Sequence, residues 1–328
     1  MSTKRETTAA IPTDCLDEKT EKPSDAALLE VDGFSFFSQI HRPLLDSIRD
    51  RNEEGLQIAA TREDVTSYYP RFRQVSASPV FFTIGTSNRC DLQLPDGDPG
   101  ISARHLLARY TANDSREDDV SVFLLHEGDS RNEFASENRS FRHAHSRRFA
   151  IRTSRTEILF LPVRRRAWRT SAADTWEKLK CGCIYLKGRC RSCAKPAAGN
   201  ELTRGLIPID ALAWPSANAG VAAVLRLSGD QGGVSRVVGV PPDAEGVVIG
   251  RRSLAAMGYD LPSISEPHLA IVRDGAAAAT ARYFAVDLAS QNGSLVNGWG
   301  FDQAPLDANA RIELGESIEL TWEQSTSS

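Results

Sequence analysis

Four short clusters in the last third of the chain place polar groups where runs of alternating apolar residues break into loops. They are Gly250-Arg251, Ser265-Glu266-Pro267-His268, Ser290-Gln291-Asn292-Gly293 and Asn297-Gly298. The chemistry these residue types suit is the holding of a phosphate. Arg251 offers a planar fork of donors that can engage a phosphate bidentately. Ser265 adds a hydroxyl, and Asn292 carries a donor and an acceptor on one amide. Gly293 suits a backbone that must turn sharply after Asn292. Taken singly, Gly-Arg and Asn-Gly pairs are common turn chemistry. Their order along the chain makes them a candidate anion site.

The same outline occurs earlier with key groups missing. Ile84-Gly85 aligns with Ile249-Gly250, and Cys90-Asp91-Leu92 with Tyr259-Asp260-Leu261. Ile101-Ser102-Ala103-Arg104-His105-Leu106 aligns with Ile264 to Leu269, and Ser130-Arg131-Asn132 with Ser290-Gln291-Asn292. Four matches in one order read as two copies of one domain. In the first copy Thr86 stands where Arg251 stands in the second, and Glu133 stands in place of the glycine. The expectation is a domain that kept its core and lost phosphate binding, with Arg89 and Arg104 able to supply charge from other directions.

The elements that must position these groups are short strands. Val80, Phe82 and Ile84 recur at every second residue, as do Val120, Val122 and Leu124. Phe149 and Ile151 lead to a turn at 153–155, from which Ile158 and Phe160 return. In the second copy, Val224 to Leu227 reaches the turn Asp230-Gln231-Gly232-Gly233, and Val237-Val238 starts back. Val247 and Ile249 make the next strand, and Phe284, Val286 and Leu288 share one face of another. Ile312 and Leu314, then Ile318 and Leu320, flank Gly315-Glu316 as a closing hairpin. Short strands joined by polar turns predict an all-β fold of two antiparallel sandwiches. Ahead of them, Phe37, Ile40, Leu44, Leu45 and Ile48 form the apolar stripe of a helix. The expected division is a disordered tail over 1–28, a helical or irregular segment over 29–69 and a degenerate sandwich over 70–163. An Arg/Cys-rich linker over 164–200 and a second sandwich over 215–328 complete it.

The 328 residues suffice for about two domains. With 41% hydrophobic and 25% charged residues, the composition is that of an ordinary globular protein. No apolar run reaches the ~18 residues of a membrane span, and the first residues lack the apolar core of a secretory signal. The expected setting is cytoplasmic. A net charge of -4 excludes global attraction to nucleic acid or anionic lipid, so an anion site must be local. Walker, nucleophile-elbow, zincin and kinase motifs are all missing from the sequence, so a binding protein rather than an enzyme is expected.

The second copy resembles the forkhead-associated domain, a phosphothreonine-peptide-binding β-sandwich, through Gly250-Arg251, Ser265-x-x-His268, Ser290-Gln291-Asn292-Gly293 and Asn297-Gly298. These motifs span most of residues 222–323. The resemblance implies two packed sheets with the binding loops gathered at one end. It implies that Arg251 and Ser265 bind the phosphate, that Asn292 holds the peptide backbone and that Gln291 sits near the phosphate. His268 is then structural and braces the loop carrying Ser265, while Gly250 and Asn297 are structural positions of the motif. Two departures stand out. Glu266 occupies a position where the family often has a basic or amide residue, and a carboxylate there repels phosphate by about a kcal/mol or more. Arg252 compensates if it points inward. Ser294 replaces the usual threonine. The stretch Leu254-Ala255-Ala256-Met257 is apolar enough to form a specificity surface for residues flanking the phosphothreonine.

Two further features lie outside this resemblance. Cys181, Cys183, Cys190 and Cys193 form C-x-C-x6-C-x2-C, four thiolates that could hold a structural zinc ion; a set of free thiols is the alternative reading. Arg139, Arg142, Arg147, Arg148, Arg152 and Arg155 precede Arg164-Arg165-Arg166, a run that can track a phosphate backbone, with Trp168 able to stack on a base. A solvated outer face is the plainer reading of these arginines. The function expected from the whole is a phosphothreonine-reading adaptor in Ser/Thr kinase signalling. Its partner would be a phosphorylated kinase or kinase substrate. The alternatives are a phosphate-independent scaffold, in which Glu266 has spoiled the pocket, and a nucleic-acid-binding zinc protein.

Overall fold

In the computed structural model, residues 29–51, 55–62, 65–69, 79–98, 100–111, 119–125, 139–144, 148–153, 155–163, 168–179, 185–186, 189–190, 203–212, 221–229, 235–242, 244–274, 281–315 and 318–324 are described. Apart from the small hairpin Tyr185–Leu186 and Arg189–Cys190, the strands they contain fall into four large sheets, packed as two sandwiches.

In the second sandwich, the strands Gly246–Ile249, Leu269–Asp274 and Arg282–Asp287 run antiparallel, edged by Leu206–Pro208 and Gln303–Leu306. The facing sheet has the order Arg236–Val240, Ala223–Gly229, Ile318–Gln324, Ala310–Leu314, Ser294–Val296 and Trp299–Gly300. The closing hairpin pairs Leu314 with Ile318 and Ile312 with Leu320. Gly315 at its turn sits at φ +54, a conformation that suits glycine. Leu225, Leu320 and Trp322 of one sheet meet Val247, Ile271 and Tyr283 of the other in one apolar core. The rings of Tyr283 and Trp322 lie 4.7 Å apart at 53°.

The first sandwich faces a six-stranded sheet, in which Val80–Gly85, Leu106–Thr111, Asp119–Leu124 and Arg139–Ala144 are successive neighbours, with a five-stranded one. The five-stranded sheet includes Leu29–Val31, Gly55–Arg62 and Val65–Tyr69, so three strands of this sandwich come from the segment expected to be helical or irregular. Leu56, Ile58 and Ala60 point into the core while Ala59 points out. Gln57 is also buried, its amide donating to the Ile58 carbonyl at 2.9 Å. Small and polar residues buried on both faces hid this strand from a two-residue alternation.

The outer face of that sheet is covered by the helix Phe34–Arg51, whose predicted stripe of Phe37, Ile40, Leu44, Leu45 and Ile48 is buried there. A second helix, Ala172–Leu179, joins it and brings Trp176 and Trp168 into the same cluster. Residues 168–179 of the expected linker are therefore packed structure. Trp168 is 6% exposed and lies parallel to the His41 ring, so it cannot stack on a base. Arg148 is likewise structural, its guanidinium lying 3.6 Å above Trp176 and its Nε donating to the Trp176 carbonyl. Arg164 to Arg166, Cys181, Cys183, Cys193 and the side chain of Cys190 lie outside the described residues, as do Asn132 and Glu133. Among the described residues, no helix is long and apolar enough to cross a membrane.

The two sandwiches pack sheet on sheet. Phe81, Leu107 and Phe123 of the first meet Val248, Val272, Phe284 and Val286 of the second in a continuous apolar layer. The Phe81 and Phe284 rings are 5.9 Å apart. At the edge of this layer Gln303 donates to the Pro79 carbonyl and accepts from the Phe81 N–H, both at 3.1 Å. Within the seam Glu245 sits between Arg109, 3.7 Å away, and Arg273, 3.8 Å away, and all three are buried.

Candidate functional site

The loops at one end of the second sandwich bring Arg251, Ser265, Gln291 and Asn292 together. Ile249 ends a strand, Gly250 follows in extended conformation, and a short helix, Arg251–Ala256, begins at once. Ser253 closes this corner: its hydroxyl accepts from the Gly250 N–H at 3.1 Å and donates to the Gly250 carbonyl at 3.0 Å. Leu254 enters the core and Met257 packs against it, leaving only Ala255 and Ala256 of the apolar stretch exposed. That stretch is a helical turn anchored by its leucine, not an open apolar surface.

The Arg251 backbone N–H donates to the Ser265 carbonyl at 3.0 Å, tying the first loop to the second. His268 ties the second loop to the third. Its Nδ1 accepts from the Ser265 N–H at 3.0 Å, and its Nε2 lies 3.0 Å from the Gly293 carbonyl. A carbonyl only accepts, so the proton sits on Nε2. The ring is fully buried, and burial holds its pKa below the ordinary histidine value. Neutral His268 thus spans the loops that carry Ser265 and Asn292.

The third loop is organised by Asp287, a residue that the motif reading left without a role. Its carboxylate accepts from the Ser290 N–H at 2.7 Å and from the Ser290 and Ser294 hydroxyls at 2.8 Å each. Ser290 Oγ in turn accepts from the Gly293 N–H at 3.0 Å. Gly293 takes φ +74, where a side chain would be strained. The signal available in the sequence was the Asp-x-x-Ser spacing of a carboxylate that caps its own loop. Ser294 in place of threonine keeps the hydroxyl that this network uses.

Against this frame Arg251, Gln291 and Asn292 are exposed and Ser265 is half-buried. Ser265 Oγ accepts from the Gln291 N–H at 2.9 Å, which leaves its own proton to donate. Asn292 Nδ2 donates to the Ser263 carbonyl at 2.7 Å, leaving Oδ1 without a partner among the described residues. A groove of about 730 Å3 passes Asn292, lined also by Ser263, Leu295, Gly300 and Phe301. Arg251 and Arg252 share one carboxylate: Glu266 lies 3.4 Å from Arg251 Nη2 and 2.9 Å from Arg252 Nε. Asn297 stands apart on the neighbouring hairpin at φ 52, where its backbone and side chain bond Arg311.

Equivalent positions of the first sandwich carry part of the same framework. The His105 N–H donates to the Ile84 carbonyl at 2.8 Å, as His268 does to Ile249 at 2.9 Å. His105 Nε2, however, faces the Thr153 hydroxyl at 2.8 Å rather than a loop carbonyl.

The class these features define is a two-sheet β-sandwich domain with a cation, a hydroxyl and an amide on loops at one end. Residues 247–315 match the family model of the FHA domain, and this part of the chain is an FHA domain. Among curated proteins none matches the sequence. Solved structures similar to it include one from work on phosphothreonine-dependent FHA domain interactions, at 28% identity over 31% of this chain and 96% of that one, TM-score 0.24. The FhaA FHA domain complexed with the intracellular domain of Rv3910 is 28% identical over 31% of this chain and 99% of that one, TM-score 0.22. Mycobacterium tuberculosis EmbR in complex with a low-affinity phosphopeptide is 23% identical over 32% of this chain and 25% of that one, TM-score 0.24.

Proposed function

We propose that this protein is an adaptor in Ser/Thr kinase signalling that binds a phosphothreonine-containing partner through its C-terminal FHA domain. The observation that carries the reading is the state of Ser265. Its oxygen is occupied by the Gln291 N–H, so its proton remains for a phosphate oxygen, beside the exposed guanidinium of Arg251. Arg251 would form the charge-assisted fork, and Asn292 Oδ1 would accept from the peptide backbone. Gln291 would sit near the phosphate, and Gly293 would hold the turn. A dianionic phosphate would displace the single Glu266 carboxylate from Arg251, with Arg252 retaining it.

A second reading, phosphate-independent scaffolding, draws on that same ion pair, since Glu266 already engages Arg251. Titration calorimetry of the full chain with paired phosphothreonine, phosphoserine and unphosphorylated peptides separates the two. The phosphothreonine reading expects binding that requires the phosphate, falls tenfold to a hundredfold in Arg251→Ala for a lost charged hydrogen bond of about 1.5–3 kcal/mol, and strengthens in Glu266→Gln. Equal binding of the unphosphorylated peptide, or an Arg251→Ala variant that binds like the parent, would establish the scaffold instead.

A further inference from the structure

We propose that the phosphopeptide site is shared between the two sandwiches, and that Arg89 of the first selects peptides with an acidic residue beside the phosphothreonine. This rests on the FHA domain binding phosphopeptides as proposed above. The loop that carries Gln291 and Asn292 is held from behind by the first sandwich. Arg104 donates through Nε and Nη2 to the Ala289 carbonyl at 2.9 and 2.6 Å, and Ala289 is in the left-handed region at φ 56. Arg89 donates through Nη1 to the Ser290 and Gln291 carbonyls at 2.7 and 2.9 Å.

The two arginines differ in what remains to them. Arg104 is half-buried under the loop, a positioning residue. Arg89 is exposed and uses only Nη1 among the described residues, where it has no carboxylate partner. Its bond to the Gln291 carbonyl puts the guanidinium one residue from Asn292, at the rim a bound peptide would cross. Arg251 and Arg252 are half-neutralised by Glu266, whereas Arg89 brings an unopposed charge to that rim. A guanidinium so placed favours a carboxylate, or a second phosphate, on the flanking peptide.

The test is calorimetric titration of the full chain with phosphothreonine peptides in which a single glutamate is walked along each flank, each paired with its glutamine counterpart. The parent protein is expected to prefer glutamate at one flanking position by roughly threefold to tenfold. Arg89→Ala should lose that preference, so that the glutamate peptide and its glutamine counterpart bind alike, and Arg89→Lys should recover part of it. A uniform fall in affinity for every peptide would mean that Arg89 only supports the loop, and an unchanged preference would mean that the charge does not reach the peptide; either result overturns the proposal. Loss of phosphate dependence, or insensitivity to Arg251→Ala, would instead remove the reading on which it rests.

Discussion

His268 carries the clearest chemistry that is not itself ligand binding. It couples Ser265 to Gly293 only while neutral, because Nδ1 must accept and Nε2 must donate. Burial lowers its pKa in the folded protein, so below the ordinary value of 6.5 the unfolded chain takes up a proton that the native one refuses. The unfolded state then binds more protons, and stability falls as the pH drops below that point, by up to about 1.4 kcal/mol per unit from this group. Denaturant melts at a series of pH values should show this slope in the parent protein and a shallower one in His268→Gln. Cys90 behaves in the opposite sense. Burial pushes its thiol up to about 11, so it remains protonated and unreactive at neutral pH. At this scale the sequence was informative about residue types and less so about contacts. Ser265, Asn292 and His268 were visible through motif spacing. The role of Asp287 was not, because a capping carboxylate looks like any loop acid until its three donors are seen.

The strands explain what a two-residue period does and does not reveal. Val80, Phe82 and Ile84 alternate and fill the first core, yet Phe81 and Thr83 between them are buried too. Val247 and Ile249 face one core while Val248 faces the seam. Strands covered on both faces read as continuous apolar runs, and those runs were the available sign that the sandwiches pack against each other. Within that seam Glu245 neutralises two buried guanidiniums. Removing one member of a buried ionic group strands the others, at about 3–5 kcal/mol. Glu245→Ala should therefore lower the denaturant midpoint by far more than loss of the exposed, solvent-screened Arg226–Glu323 pair. A change in Glu245→Ala no larger than in Glu323→Ala would show that the seam is wetter than its burial indicates.

At the scale of the molecule, the helical cover and four sheets are stacked in one direction, and division into independent domains does not follow from the repeat. A fragment over 215–328 would present Val248, Ala270, Val272, Phe284, Val286 and Leu288 to water, because their cover lies in the first sandwich. A patch of that kind drives association. Light scattering should find the fragment aggregated at concentrations where the full chain is dispersed; a monomeric, well-folded fragment would show that the seam contributes little. The fold class was legible because turns and alternation are local signals. The docking of the two sandwiches was not, since it depends on residues more than a hundred positions apart, such as Phe81 and Gln303.

The grip of Arg104 and Arg89 on the Ala289–Gln291 carbonyls has a mechanical corollary. A hydrogen bond transmits order in both directions, so a ligand that quiets the loop also quiets the arms that hold it. The first sandwich would then act as a resonator for the second. Occupancy at Asn292 would be felt at Ser102 and Ser87, whose hydroxyls bond the backbones of Arg104 and Arg89.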